Sequence, residues 1–432
     1  MSVKRFYTKR FLSIPIFLVC LNPANANEIK GSLTATSLVS DNTLKKPVDP
    51  IEERQNLYQA GLMADYSNWL VDADASYQWN AQEFTENSQD DERYVDGRSR
   101  VNFGKKDDPA ALELSHSRRM LLVTPDAVGL TSNQQEREII SVLPELRKRI
   151  FNADVVTLGA QLVQVNFPDN DLQDSEREGF SLGWVHPLSR TSLLQAFVQQ
   201  QNIKFENYPL ADYRLSASML AYAVELRKLR YRIELGYNES GPDDGIKQTA
   251  PAYKVIATYE SGYNQVDITL GRELTDTSFG NGNLDNNVTL PGSDGMSLDI
   301  NRIDRVDAEL KWETSGICMR CAFALSVSAN QDEYLEKDEK SVSIYTNGRF
   351  VYSFSSAAKV SLSGARSEQD FKNEIVAKDY TLNYVSLEYS YQFLNGLSIR
   401  LVGRNEDRKT TSERAEGTYQ ENIYSIGLGY KF

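Results

Sequence analysis

Histidine and cysteine are nearly missing from this chain, two and three residues respectively out of 432. That scarcity closes most routes to catalysis and metal binding. His116 sits beside the apolar row Leu112–Leu114 and His186 precedes Pro187 in a turn, so neither stands with a nucleophile and an acid as a hydrolytic triad requires. Cys318-Met319-Arg320-Cys321 is a CxxC at a turn, outside any βαβ pattern and without the second cysteine pair of a zinc site. In an oxidising compartment a local Cys318–Cys321 disulfide is the expectation. No enzyme, cofactor or metal is expected.

Cations are also in short supply, 47 Lys and Arg against 60 Asp and Glu for a formal charge of −13. Nucleic acid is therefore disfavoured as a partner. Long apolar runs are absent too. Nothing beyond the N-terminal leader approaches the ~20 residues of a transmembrane helix, and mean hydropathy is −0.47. Such values ordinarily indicate a water-soluble chain, but an alternating strand needs only every second residue to be apolar to face lipid.

That alternation is what the sequence contains. The chain ends with Tyr424, Ile426, Leu428, Tyr430 and Phe432 on one face of a strand and Ser425, Gly427, Gly429 and Lys431 on the other. An apolar face for lipid, a small polar face for a lumen and terminal aromatics for an interfacial girdle describe the closing strand of an outer-membrane β-barrel. The abundance of aromatics, 23 Tyr and 17 Phe, fits barrel walls with aromatic belts. At the other end, Lys4, Arg5, Lys9 and Arg10 precede an apolar stretch from Phe11 to Leu21 and the small-residue site Ala24-Asn25-Ala26. Residues 1–26 read as a signal peptide and 27–432 as the barrel. Val19, not a small residue, precedes Cys20, which argues against a lipoprotein.

Short connections near Asn68, Asp107-Asp108, Asn152, His186-Pro187, Arg227, Gly262, Thr314–Ile317, Ser353–Ser356 and Leu394–Gly396 alternate with longer polar ones, among them Gln331–Glu339, Glu368–Lys378 and Glu406–Gly417. The fold class is all-β, a transmembrane antiparallel β-barrel of about 18–20 strands with both termini periplasmic. The longest loop, Thr275 to Ile300, reads as a surface loop, with a pore-narrowing fold-back as the alternative. Acidic runs at Asp90-Asp91-Glu92, at Asp169, Asp171 and Asp174, at Asp243-Asp244, and at Asp332-Glu333 with Glu336, Asp338 and Glu339 read as solvated faces. The alternative is bridging through divalent cations to lipopolysaccharide.

The polar rows of individual strands name the candidate lumen charges: Asp72 and Asp74; Arg98 and Arg100; Arg230, Arg232 and Glu234; Arg305, Asp307, Glu309, Lys311 and Glu313; Arg400 and Arg404. On the lipid face an Arg or Lys would cost roughly 2–4 kcal/mol at the midplane. They must point inward, onto water as selectivity groups or onto one another as a salt-bridge lattice.

Ser40-Asp41-Asn42 after a first strand, Ser141-Val142-Leu143-Pro144, and Gly271-Arg272-Glu273-Leu274-Thr275-Asp276-Thr277-Ser278 resemble the uncharacterised outer-membrane barrels associated with exosortase (PEP-CTERM) and exopolysaccharide loci. The resemblance implies a role in export or surface organisation of polysaccharide and names no catalytic residue. The C-terminal Phe432 resembles the signal read by barrel-insertion machinery. Two functions follow as expectations: a porin-like channel for polar solutes or a part of polysaccharide export, and alternatively a closed structural or adhesive barrel binding glycan or a partner through acidic loops. The expected surroundings are outer-membrane lipid and lipopolysaccharide.

Overall fold

A computed structural model describes residues 28–105, 108–122, 128–151, 153–242, 245–278, 301–336, 339–372, 379–411 and 417–432. The proposed signal peptide lies outside the described residues. No helix among them is long and apolar enough to cross a membrane. Instead there are twenty strands. The first seven are β1 (Glu28–Ser40), β2 (Glu53–Ser67), β3 (Val71–Phe84), β4 (Glu92–Phe103), β5 (Ala110–Leu122), β6 (Gln134–Ile150) and β7 (Asp154–Asn166). Then come β8 (Ser175–Pro187), β9 (Ser192–Phe205), β10 (Tyr213–Glu225), β11 (Leu229–Gly241), β12 (Gln248–Ser261), β13 (Asn264–Asp276) and β14 (Arg302–Thr314). The last six are β15 (Cys321–Tyr334), β16 (Glu339–Ser353), β17 (Ala358–Lys372), β18 (Tyr380–Gln392), β19 (Leu397–Thr410) and β20 (Tyr419–Lys431).

Each strand pairs antiparallel with the next, and β20 pairs with β1 from Ser32↔Lys431 to Ser40↔Ile423, so the sheet closes on itself. Closure leaves no sheet edge, which is what lets backbone amides cross hydrocarbon without an unmet hydrogen bond. The seam is tied at one end by Gly31 and Phe432, whose N–H groups each donate to the other's carbonyl at 2.8 and 3.0 Å. Phe432 also lays its ring over Gly31, where a Cβ would lie 2.3 Å from it. The start of β1 and the C-terminal Phe432 thus lie at one end of the barrel, the end that carries the short turns.

The outside repeats the C-terminal pattern on strand after strand. Ile426, Leu428 and Tyr430 on β20, Val385, Leu387 and Tyr389 on β18, and Leu220 and Tyr222 on β10 are all exposed outward. Near the turn end aromatics pair edge to face, Trp312 with Phe323, Tyr352 with Phe354, and Tyr391 with Phe393. This apolar belt with an aromatic rim is a lipid-facing surface.

Several strands run further than their charge content suggests. β19 continues through Glu406 and Arg408 to Thr410, β17 reaches Lys372, and β15 reaches Tyr334, so the expected loops at Glu406, Glu368 and Gln331 begin later. The reason is that Glu406, Arg408 and Asp332 face the lumen, where charge is compatible with a strand. His186 and Pro187 likewise belong to β8, with His186 Nδ1 on Asp154 at 2.6 Å. Asp174 is buried rather than on a solvated face, whereas Asp91 is exposed as expected, yet both carboxylates have a backbone partner. Together with Asp212 and Asp379 they accept from the N–H of a phenylalanine at the preceding strand end: Phe84 at 2.9, Phe167 at 2.6, Phe205 at 2.8 and Phe371 at 2.7 Å. Each closes a long connection by filling an orphan donor. Asp169 and Asp171 stand in the same connection as Asp174. Asp243, Asp244 and Asp338 lie outside the described residues.

β4 and β5 pair only up to Gly97↔Arg118. Just there Tyr77 crosses from β3 over Gly97, its hydroxyl 2.9 Å from Ser99 Oγ and 2.5 Å from His116 Nδ1, and His116 Nε2 lies 2.9 Å from Glu138 on β6. His116 is therefore a staple across four strands where the ladder stops. Above it Asp96 Oδ1 accepts from Met120 N at 3.0 Å in place of a missing ladder bond. Cys318 and Cys321 form a disulfide in the turn between β14 and β15.

Candidate functional site

The lumen holds a cavity of about 1230 Å³ lined by charged and polar side chains together with apolar ones such as Leu57, Phe197 and Met219. What narrows it is the far end of the β13–β14 hairpin. Pairing between β12 and β13 ends at Tyr253↔Arg272, whereas β13 stays with β14 as far as Asp276↔Arg302. Released from β12, the hairpin end bends inward. Leu274 N comes 3.2 Å from the amide oxygen of Asn238 on β11, once that amide is turned to suit its neighbours, and small Ala250 and Ala252 are buried beside it on β12.

A charged knot holds this end in place. Arg177 of β8 meets both oxygens of Asp276 at 2.9 Å and donates to Ser278 Oγ at 2.9 Å, and Tyr213 of β10 donates to Asp276 as well. Ser278 N donates to Asp276 at 2.9 Å. Arg177 is 3% exposed and Asp276 0%, so every polar atom of the carboxylate depends on these partners. The expected surface loop at Thr275–Ile300 is corrected at its described ends: Thr275, Asp276, Thr277, Ser278 and Asn301 are buried, with Thr275 and Thr277 on the lumen cavity. Residues 279–300 lie outside the described residues.

A second array closes in from the seam. Lys45, in the connection after β1, reaches Glu406 at 3.3 Å and Glu421 at 3.8 Å and sits over the Tyr419 ring. Arg404 lies 4.6 Å above the Tyr384 ring and Arg408 4.2 Å above Tyr380. Ser40 Oγ donates to Glu421 at 2.5 Å, tying the array to β1.

The predicted lumen residues all fall on inward rows but divide by height. Glu234, Arg305, Asp307, Glu309, Lys311 and Arg404 line the cavity. There Arg305 makes a two-pronged bond to Asp332 at 2.7 and 2.8 Å, Lys311 pairs with Glu309 at 3.0 Å, Glu234 takes Arg232, and Arg404 takes Glu406 at 2.5 Å. Asp72, Asp74, Arg98, Arg100, Arg230, Glu313 and Arg400 stand nearer the turn end. Asp72 pairs with Lys105 at 2.5 Å, Arg100 approaches Glu113 at 3.6 Å, and Arg230 pairs with Glu260. Lattice and lining are thus both present in one wall.

Arg177, Tyr213 and Lys45 were not singled out by alternation, because a single polar residue on an inward row looks like any other. Asp276 stands within the Gly271–Ser278 motif, and only the bend of β13 shows what it binds.

No protein-family model matches the chain, and no curated protein matches it. Solved structures to which it is similar include OmpTdeltaL8, a loop L8 deletion mutant of OmpT of Vibrio cholerae, at 10% identity over 94% of this chain and 98% of that one, with a TM-score of 0.37. The FrpB iron transporter from Neisseria meningitidis is 10% identical over 95% and 82% of the two chains, with a TM-score of 0.47. OccK5 of Pseudomonas aeruginosa is 10% identical over 94% and 99%, with a TM-score of 0.38. At these scores the likenesses carry no functional weight.

Proposed function

We propose that this protein is a passive outer-membrane channel for polar solutes, with the turn end and both termini in the periplasm and the inward β13–β14 end as its constriction. The observation that carries this reading is the cavity of about 1230 Å³, lined in part by charged side chains, inside a belt-bearing closed barrel. A twenty-strand wall is too wide for its own side chains to fill. Lipopolysaccharide borders the long connections, and Phe432 is the contact for insertion machinery. The finer role, a part in polysaccharide export, is supported by the short motifs alone.

Single-channel recording on the refolded chain from Asn27 to Phe432 tests the proposal directly. A steady open conductance is expected. Folded protein, shown by a heat-dependent gel shift, that conducts nothing would favour the closed structural barrel.

Arg230 and Arg232 supply a second test. Replacing both with Glu leaves Glu260 and Glu234 without their cations and adds negative charge to the inward row. The reversal potential in a salt gradient should move towards cation selectivity, with folding largely kept. Lost folding with unchanged selectivity would make these arginines lattice members only.

A further inference from the structure

The cavity lining differs in kind along the chain. Over β11–β20 charged side chains recur in it, Arg305, Glu309, Lys311, Asp332 and Arg404 among them. From β2 to β10 the described lining is instead amide, hydroxyl and hydrocarbon, with Arg177 as its one charge, and Arg177 is neutralised by Asp276. Seven glutamines fall in this stretch, so the amide is its commonest polar group. The inward row of β9 concentrates the pattern, since Phe197, Gln199 and Gln201 follow one another there on the cavity. Gln201 Nε2 donates to Gln161 Oε1 on β7 at 2.5 Å, which leaves Gln201 Oε1 and Gln161 Nε2 without a described partner. Gln199 has no hydrogen-bond partner and Phe197 no ring neighbour among the described residues. Small residues flank both: Gly183 faces Phe197 and Ser181 faces Gln199 on β8, and Ala217 faces Gln199 on β10.

A side-chain amide holds a donor and an acceptor in one plane and carries no net charge. It therefore matches a pair of neighbouring hydroxyls, one accepting and one donating, and gives an ion no counter-charge. Phe197, with Met219 opposite it on β10, adds apolar surface to the same row. An apolar solute would strip water from the amides without replacing its hydrogen bonds. A solute that satisfies both features is neutral, rich in hydroxyls and has a hydrocarbon face. Pyranose sugars have that chemistry, because their ring C–H groups form an apolar face that packs on an aromatic ring while the hydroxyls project around the rim.

Resting on the channel reading above, we infer that the β7–β10 side of the cavity is a binding site for a short neutral oligosaccharide, held by Gln161, Gln199 and Gln201 with Phe197 against a sugar ring. The test records single channels of the refolded chain from Asn27 to Phe432 while maltotriose, raffinose or a poly(ethylene glycol) of about the same mass is added. At least one trisaccharide should block the current saturably, with half-block in the millimolar range. The polyether has acceptors but no hydroxyls along its chain and should lower the current only in step with the conductivity of the bath. Gln199→Leu and Phe197→Ala should each raise the half-blocking concentration about fivefold, the worth of one lost hydrogen bond or ring contact. Ser328→Ala, on the charged side of the same cavity, should leave it unchanged. A conducting wild-type pore that neither sugar blocks saturably, or that the polyether blocks equally well, overturns the inference and leaves the channel intact. Folded protein that conducts nothing would instead overturn the channel reading itself. If Gln199→Leu fails the heat-dependent gel shift, Gln199→Ala takes its place, and an unchanged half-block there counts against the assignment.

Discussion

Arg177→Ala will give a pore of larger and noisier conductance in an otherwise folded barrel. Removing one partner of a buried ion pair leaves the other charge uncompensated at a cost of about 3–5 kcal/mol. Here the stranded group is Asp276, wholly buried and holding the tip of the β13–β14 end to β8 and β10. The barrel need not unfold to relieve that cost. The hairpin end is already free of β12 beyond Arg272, so Asp276 regains water by swinging out of the lumen, a local opening rather than a global one. Single-channel recordings should therefore show a several-fold rise in unit conductance with frequent substates. Arg177→Met combined with Asp276→Leu should restore the smaller value, since it removes both charges and keeps the bulk. If Arg177→Ala conducts like the wild type, the hairpin end is not the constriction.

Ile426→Arg will block assembly, and Ser425→Arg will not. The two positions are adjacent on β20 and differ only in the face they present. Ile426 is 54% exposed on the apolar belt, six residues above the terminal Phe432, whereas Ser425 shares the inward row with Glu421 and Ile423 on the lumen cavity. An arginine near mid-belt costs roughly 2–4 kcal/mol, and an arginine in a hydrated lumen costs little. The expected readout is a collapse of the heat-modifiable fraction on refolding into lipid for the first variant and near wild-type behaviour for the second. The reverse pattern would mean that the inside and outside of the wall have been exchanged.

These predictions draw on different depths of the chain. The inside-outside assignment behind the second is legible in the alternation itself, and the inward rows of β11, β14 and β19 are the ones read from Arg230, Arg305 and Arg404. The number of strands is legible for the same reason. Strand ends are less so: charge marks a loop in a strand that faces lipid, yet at Glu406, Arg408 and Asp332 it marks a strand that faces water. His116 also escapes a linear reading. Its partners Tyr77 and Glu138 lie on β3 and β6, and nothing local to Leu112–Leu114 announces them.

What the sequence determined by itself is the wall. Period-two patterning acts residue by residue, each side chain choosing lipid or water, and the sum of those local choices requires a closed antiparallel barrel with an apolar outside and a charged inside. What only the tertiary structure decided is the passage. Its width depends on the bend after Arg272, on the tie from Asp276 to Arg177 past the four strands β9–β12, and on Lys45 reaching Glu406 and Glu421 from the far end of the chain. Such contacts are set by barrel closure, which brings together residues that no periodicity relates.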